Sequence, residues 1–268
     1  MKYIYFHGGP GFNANPERYT FQKWMAQKGC EVILWEEPSL KRPSGPKYIS
    51  GSQCFENYQF TLKKFFNTVQ EQHPNEKFEL IGFSFGAYAA TYIFRNFPHA
   101  INKIHLISPC FNFEAVDRNL LNIGLDELEQ SGKVEFIPLL KNVDEGSLGK
   151  LTPELEKAFG IILSETNFLN HYWRNHQAKD HFLQYYSGDE YEFDFTSFLE
   201  MRKTMDINLE KITDIPLHIY VGKYEKVIDV GHEVSMIKTQ VQDPHIHTLS
   251  ESAHYPHIEE FEKFYNLL

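Results

Sequence analysis

The sequence predicts an α/β fold, in which a mostly parallel sheet carries helices on both faces and receives one long helical insertion. Three observations predict it. Short apolar runs of four to six residues recur along the chain and are dense in β-branched and aromatic types, as strands buried on both faces are. Longer segments with helical spacing fall between them, and this alternation implies parallel pairing through right-handed crossovers. One stretch of about a hundred residues, from Phe111 to Ile212, has helical or irregular patterning and no strand signal.

Taken in order, the first strand run is Tyr3 to Phe6, followed by an amphipathic segment from Tyr19 to Lys28. The second run, Val32 to Trp35, is closed by Pro38. A long helix is expected over Phe55 to Gln72, where Phe55, Tyr58, Leu62, Phe65, Phe66 and Val69 share one face. Phe78 to Phe83 is the third run, and a helix from Ala87 to Asn96 follows it directly. Ile104 to Ile107 is the fourth. After the strand-free stretch come Leu217 to Val221, a helix over Val230 to Thr239, Ile246 to Leu249, and a closing helix from His257 to Leu268. Residues 1–110 and 213–268 are therefore read as one core, with 111–212 inserted as a helical subdomain. Ser44-Gly45-Pro46 and Glu145-Gly146-Ser147 are loop signals.

Bulk properties narrow the function. A chain of 268 residues suits one domain, or one domain with a large insertion, and 42% apolar residues suffice for a core. The formal charge is −10, and lysines and arginines are scattered with no basic run longer than a pair, so no nucleic-acid partner is expected. Aromatics reach 15%, which core packing accounts for. Cys30, Cys54 and Cys110 form no CxxC pair and have no zinc-ligand spacing; they read as small buried hydrophobes in a reducing, cytoplasmic setting. The first residues are interrupted too early for a signal peptide, and no stretch approaches the roughly 18 apolar residues of a membrane span. The oligomeric state is left open.

The chemistry is concentrated in four places. Gly82-Phe83-Ser84-Phe85-Gly86 stands directly after a strand signal and before a helix signal, the context that a nucleophile elbow demands. Small flanking residues let the chain turn sharply, and the helix start beside Ser84 favours negative charge there. His7-Gly8-Gly9-Pro10-Gly11 follows the first strand, where a tight turn can aim a backbone N–H into the site. An oxyanion hole needs two such donors; Gly9 and Phe85 are the candidates. Ser250 to Pro256 follows the last strand, and His254 within it is placed to act as general base, ahead of His245 and His247 at the strand's start. The acid should follow the preceding strand. Glu225, three residues beyond Gly222, is the first choice, and Asp229, which could instead cap a helix, is the second.

With these motifs the chain resembles the α/β-hydrolase family, over its whole length outside the insertion. The resemblance rests on His7 to Gly11, Gly82 to Gly86, Gly222 to Glu225 and Ala253-His254. It implies a sheet of about six strands that lacks the family's usual N-terminal antiparallel pair. It also implies that the insertion is a cap over the site that shapes substrate choice. The family usually has Asp in the acid position, with Glu as a less common substitute. The His-Gly-Gly-Pro-Gly run looks like the proline iminopeptidase branch, and the small esterases are an equal comparison. That first branch has an Asp-Gln-Arg-Gly-like segment where this chain reads Trp35 to Pro43.

The activity so implied is hydrolysis of an ester or amide of a small molecule through an acyl-serine, with no metal or organic cofactor. An aminopeptidase, acyl transfer or C–C bond hydrolysis on the same residues, and a binding protein that kept the fold without turnover, remain alternatives. His171, His176 and His181 step around a helix and do not converge on a metal. Asp189, Glu190, Glu192 and Asp194, interleaved with Tyr191, Phe193 and Phe195, read as a partly solvated edge that a cationic substrate group could also meet.

Overall fold

The computed structural model describes residues 1–42, 46–47, 54–186, 193–205, 207 and 215–268. The strands are β1 (Lys2–Phe6), β2 (Glu31–Leu34), β3 (Phe78–Phe83), β4 (Ile101–Ile107), β5 (Leu217–Gly222) and β6 (His245–Leu249). Helices α1 (Asn15–Tyr19) and α2 (Phe21–Gln27) lie between β1 and β2, α3 (Cys54–Gln72) before β3, and α4 (Gly86–Asn96) before β4. Among the described residues five α-helices lie between β4 and β5: α5 (Phe113–Ser131), α6 (Ile137–Lys141), α7 (Pro153–Glu165), α8 (His176–Leu183) and α9 (Phe195–Thr204). Then α10 (Val230–Gln240) precedes β6, and α11 (Pro256–Glu259) and α12 (Phe261–Tyr265) close the chain.

Among the described residues the strands form one six-stranded sheet in the order β2-β1-β3-β4-β5-β6, parallel throughout, as the sequence predicts. The register aligns Ile4 with Leu80, Leu80 with Ile104, Leu106 with Ile219 and Ile219 with Ile246. Each central strand is buried on both faces, which explains why it reads as an unbroken apolar run. Ile4, Phe6, Leu80, Leu106 and Ile219 pack on one side with α3, α4 and α10. Tyr3, Tyr5, Ile81, Phe83 and Tyr220 pack on the other with Phe21, Met25, Ile258 and Phe264. A third cluster, including Leu121, Leu128, Leu155 and Phe159, lies wholly within the insertion.

The chain leaves β1 for β2 on one side and returns to place β3 on the other. The carboxyl ends of β1 and β3 therefore adjoin at the point where the winding reverses, where open α/β sheets bind ligands.

Several elements differ from expectation. The expected helix from Tyr19 to Lys28 is α2, which begins only at Phe21 because Thr20 leaves helical geometry at φ −115° and ψ −90°; α1 precedes it as a separate short helix. The expected closing helix is broken at Glu260, with φ −125°. β4 begins three residues earlier than its apolar run, and the edge strand β6 exposes Ile246 because no strand covers its outer side. Among the described residues of 111–212 there are helices and no strand. Ser44 and Gly45 of the first loop signal, Pro43, the positions Asp189, Glu190, Tyr191 and Glu192, and the boundary at 212–213 lie outside the described residues.

Candidate active site

β3 ends at Phe83 and α4 begins at Gly86, so Ser84 and Phe85 alone make the turn. Ser84 has φ 51°, a left-handed conformation that costs a non-glycine residue about 1–3 kcal/mol. Three backbone bonds hold it there. Its N–H donates to the Ile107 carbonyl at 2.8 Å, and its carbonyl accepts from Ala87 at 3.0 Å and Cys110 at 3.2 Å. A Cβ on Gly86 would run into the carbonyl oxygens of Phe6 and His7. Glycine thus lets the end of β1 press on the turn and brings the His7–Gly11 loop beside Ser84.

His254 approaches from the loop after β6. Its Nε2 lies 3.2 Å from Ser84 Oγ, and its Nδ1 lies 2.7 Å from Glu225 Oε2. A carboxylate only accepts, so Nδ1 carries the proton and Nε2 is left to accept from the serine hydroxyl. The ring is buried, packed at 5.2 Å from Phe83 and 5.1 Å from Tyr172, and its backbone N–H donates to the Tyr172 carbonyl. Glu259 ties the same loop to the insertion: one carboxylate oxygen accepts from Ala253, the other from Arg174 and Asn175.

The Glu225 side chain is 1% exposed. Burial by itself would raise its carboxyl, but the His254 ring and the N–H groups of Val227 and Ile228 outweigh burial and hold it below the usual carboxylate range. Asp229 is elsewhere. It is exposed, and its Oδ1 accepts from His232 N–H at 3.0 Å as the N-cap of α10. A Cβ on Gly222 would strike the carbonyl of Ala253, so glycine at the end of β5 admits the histidine loop to the strand that carries Glu225.

Gly9 and Phe85 adjoin, since the Cβ position of Gly9 is 3.8 Å from the Phe85 ring. Phe85 is the N-cap of α4, so its N–H belongs to the donor end of that helix. Two residues to which the sequence alone gave no role of their own brace the glycine loop. Glu37 is buried beneath it and accepts from Gly11 N–H at 2.8 Å, and burial pushes its carboxyl up to about 8. His7 donates from Nδ1 to the Gly8 carbonyl at 2.6 Å and accepts at Nε2 from Glu37 N–H, and burial lowers it to about 4. The signal for Glu37 was present in its position just past the carboxyl end of β2.

Ser84 and His254 open into a cavity of about 450 Å³. Its wall is mainly aliphatic and aromatic, with Phe12 and Phe83 from the sheet side and Phe159, Phe168 and Phe198 from the insertion. Glu17 and Arg202 are the charged-type side chains that share this wall with the histidine. Neither was singled out from sequence, because each becomes part of the site only through contacts across the fold.

Among the described residues no group of three or more His, Cys, Asp or Glu is arranged to hold a metal ion, and no helix is long and apolar enough to cross a membrane. His171 faces Glu127 at 2.8 Å, and His181 stacks on Trp24. Cys54 and Cys110 are buried and Cys30 is half-buried, all three as free thiols.

A family model described as the alpha/beta hydrolase fold matches residues 4–261. No curated protein matches the chain. Among solved structures, an esterase from Exiguobacterium antarcticum aligns at TM-score 0.63 and 16% identity, covering 100% of this chain and 90% of that one. A proline iminopeptidase-related protein from Thermus thermophilus aligns at TM-score 0.63 and 18% identity, covering 99% and 86%. An alpha/beta superfamily hydrolase from Oenococcus oeni gives TM-score 0.61 and 18% identity, covering 100% and 91%. Likeness at these identities speaks to the fold.

Proposed function

The chain belongs to the α/β-hydrolase fold family, and on that premise we propose that it is a serine hydrolase cleaving an ester or amide bond of a small, largely apolar substrate. The observation that carries the proposal is the linear relay from Ser84 Oγ through His254 to Glu225, with contacts of 3.2 and 2.7 Å.

In this reading Ser84 Oγ attacks the substrate carbonyl carbon while His254 Nε2 takes the hydroxyl proton. The carbonyl oxygen becomes an oxyanion received by the N–H groups of Gly9 and Phe85. Collapse of the tetrahedral intermediate breaks the bond to the leaving group, which takes the proton back from Nε2. A water molecule then attacks the acyl-serine with the same histidine as base, and the acid leaves. Glu225 holds Nδ1–H and stabilises the imidazolium formed in each half. Residues 111–212 act as a cap in this scheme, since their helices furnish much of the cavity wall and so select the group bound there.

A fluorophosphonate probe tests the reading, because the serine oxygen bonds to phosphorus and expels fluoride only when activated. The parent protein should be labelled at Ser84 and Ser84→Ala should not. Equal labelling of both would overturn the assignment.

A further inference from the structure

Arg202 is buried at 4% exposure in the wall of the cavity that contains Ser84 and His254. It stands on α9, and its Nη2 donates to Asp117 Oδ2 of α5 at 2.8 Å. The same oxygen accepts from Gly149 N–H at 2.7 Å. The guanidinium lies over the Phe113 ring at 4.4 Å, and Phe198 flanks it at 5.7 Å. Its plane is thus fixed from two directions before any ligand arrives.

The pair is incompletely satisfied. Arg202 Nε and Asp117 Oδ1 are both buried without a partner among the described residues. Nη1 has no hydrogen-bond partner among the described residues either, and the Arg202 side chain lines the cavity wall. Packing does not require such a group, since an apolar pair of similar volume commonly replaces a buried ion pair without loss of stability. A fixed, unpartnered donor in the wall of a mainly apolar cavity is how binding sites orient a ligand.

We propose that Arg202 is a specificity-determining residue. Its Nη1 donates to an uncharged acceptor oxygen, a carbonyl of ketone, amide or second-ester type, on a substrate that is otherwise apolar. The inference rests on the serine-hydrolase reading above. An uncharged acceptor fits better than a carboxylate because Asp117 already balances the guanidinium. A second anion would add charge to an ion pair that is already balanced, in a wall with little else to solvate it.

The test compares the rates at which Ser84 is labelled by alkyl fluorophosphonates of graded length and by analogues carrying one ketone in the chain. At one chain length the keto probe should label the parent about tenfold faster than its alkyl counterpart, the scale of one hydrogen bond to a charged group. Removing Arg202 alone would strand Asp117, so the main variant combines Arg202→Met with Asp117→Leu. In it the keto preference should vanish. Arg202→Lys, which keeps the charge without the planar fork, should reduce the preference several-fold and decides the matter if the double variant does not fold.

A keto preference that is absent from the parent, or unchanged in the variants, overturns the role of Arg202 and leaves the hydrolase reading standing. A carboxylate-bearing probe that outpaces the keto probe overturns the uncharged-acceptor assignment. No labelling of Ser84 by any probe overturns the hydrolase reading, and this inference with it.

Discussion

At the residue scale, two carboxylates four positions apart have different work. Glu225 is enclosed and touches His254, while Asp229 faces solvent and caps α10. Glu225→Gln should therefore lower kcat by about 10³- to 10⁴-fold, as loss of the orienting carboxylate does in serine-histidine-acid sites. Asp229→Ala should cost about 1 kcal/mol of stability through the lost cap and leave kcat near that of the parent. Steady-state rates with an ester substrate, beside urea unfolding, separate the two. The reverse pattern would move the acid to Asp229. Sequence ranked these residues by chain position and loop chemistry, which was enough to put both forward. It could not rank Glu37, because the value of that side chain lies in a bond to Gly11, far away along the chain.

At the element scale, the site depends on close passages between backbones. Gly222 ends β5 where the Ala253 carbonyl leaves no space for a Cβ. Gly222→Ala should push the His254 loop away from Glu225, destabilise the fold by about 1–3 kcal/mol and lower kcat more than it raises KM. Unchanged kinetics would show that the loop absorbs the methyl group without moving the histidine. The same scale explains what periodicity read well and badly. Strands β1, β3, β4 and β5 are buried on both faces, so their apolar runs were legible. The break at Glu260 was not, because Ile258 before it and Phe264 after it face the same core. Helical spacing continues through a break when packing on either side remains consistent.

At the scale of the whole molecule, the balance of buried acids and bases sets the response to pH. Burial pushes Glu17 and Glu37 each up to about 8. The folded state then keeps protons that the unfolded chain releases above the ordinary value of 4.5. The stabilisation is complete below that value and is lost as pH rises to about 8. Buried His7 and half-buried His218 act in the opposite direction. Burial lowers both to about 4, so their contribution is present above the ordinary 6.5 and is lost as pH falls. Between pH 6.5 and 8 the glutamates therefore dominate among these four groups, and the urea midpoint should fall across that window. Glu17→Gln and Glu37→Gln should each flatten the decline. A midpoint that rises over the same interval would refute this account.

By itself the sequence determined the α/β layering, and it put forward Ser84, His254 and Glu225 as candidates on loops at one edge of the sheet. These are local properties: runs buried on both faces, turns that demand small residues, and the order of loops along one sheet edge. Only the tertiary structure decided which carboxylate meets the histidine, how Glu37 and His7 brace the glycine loop, and that Arg202 faces the cavity of Ser84. Each of those depends on a distance between segments remote in the chain. The physical reason is that patterning records which side of an element is buried, but not which partner it is buried against.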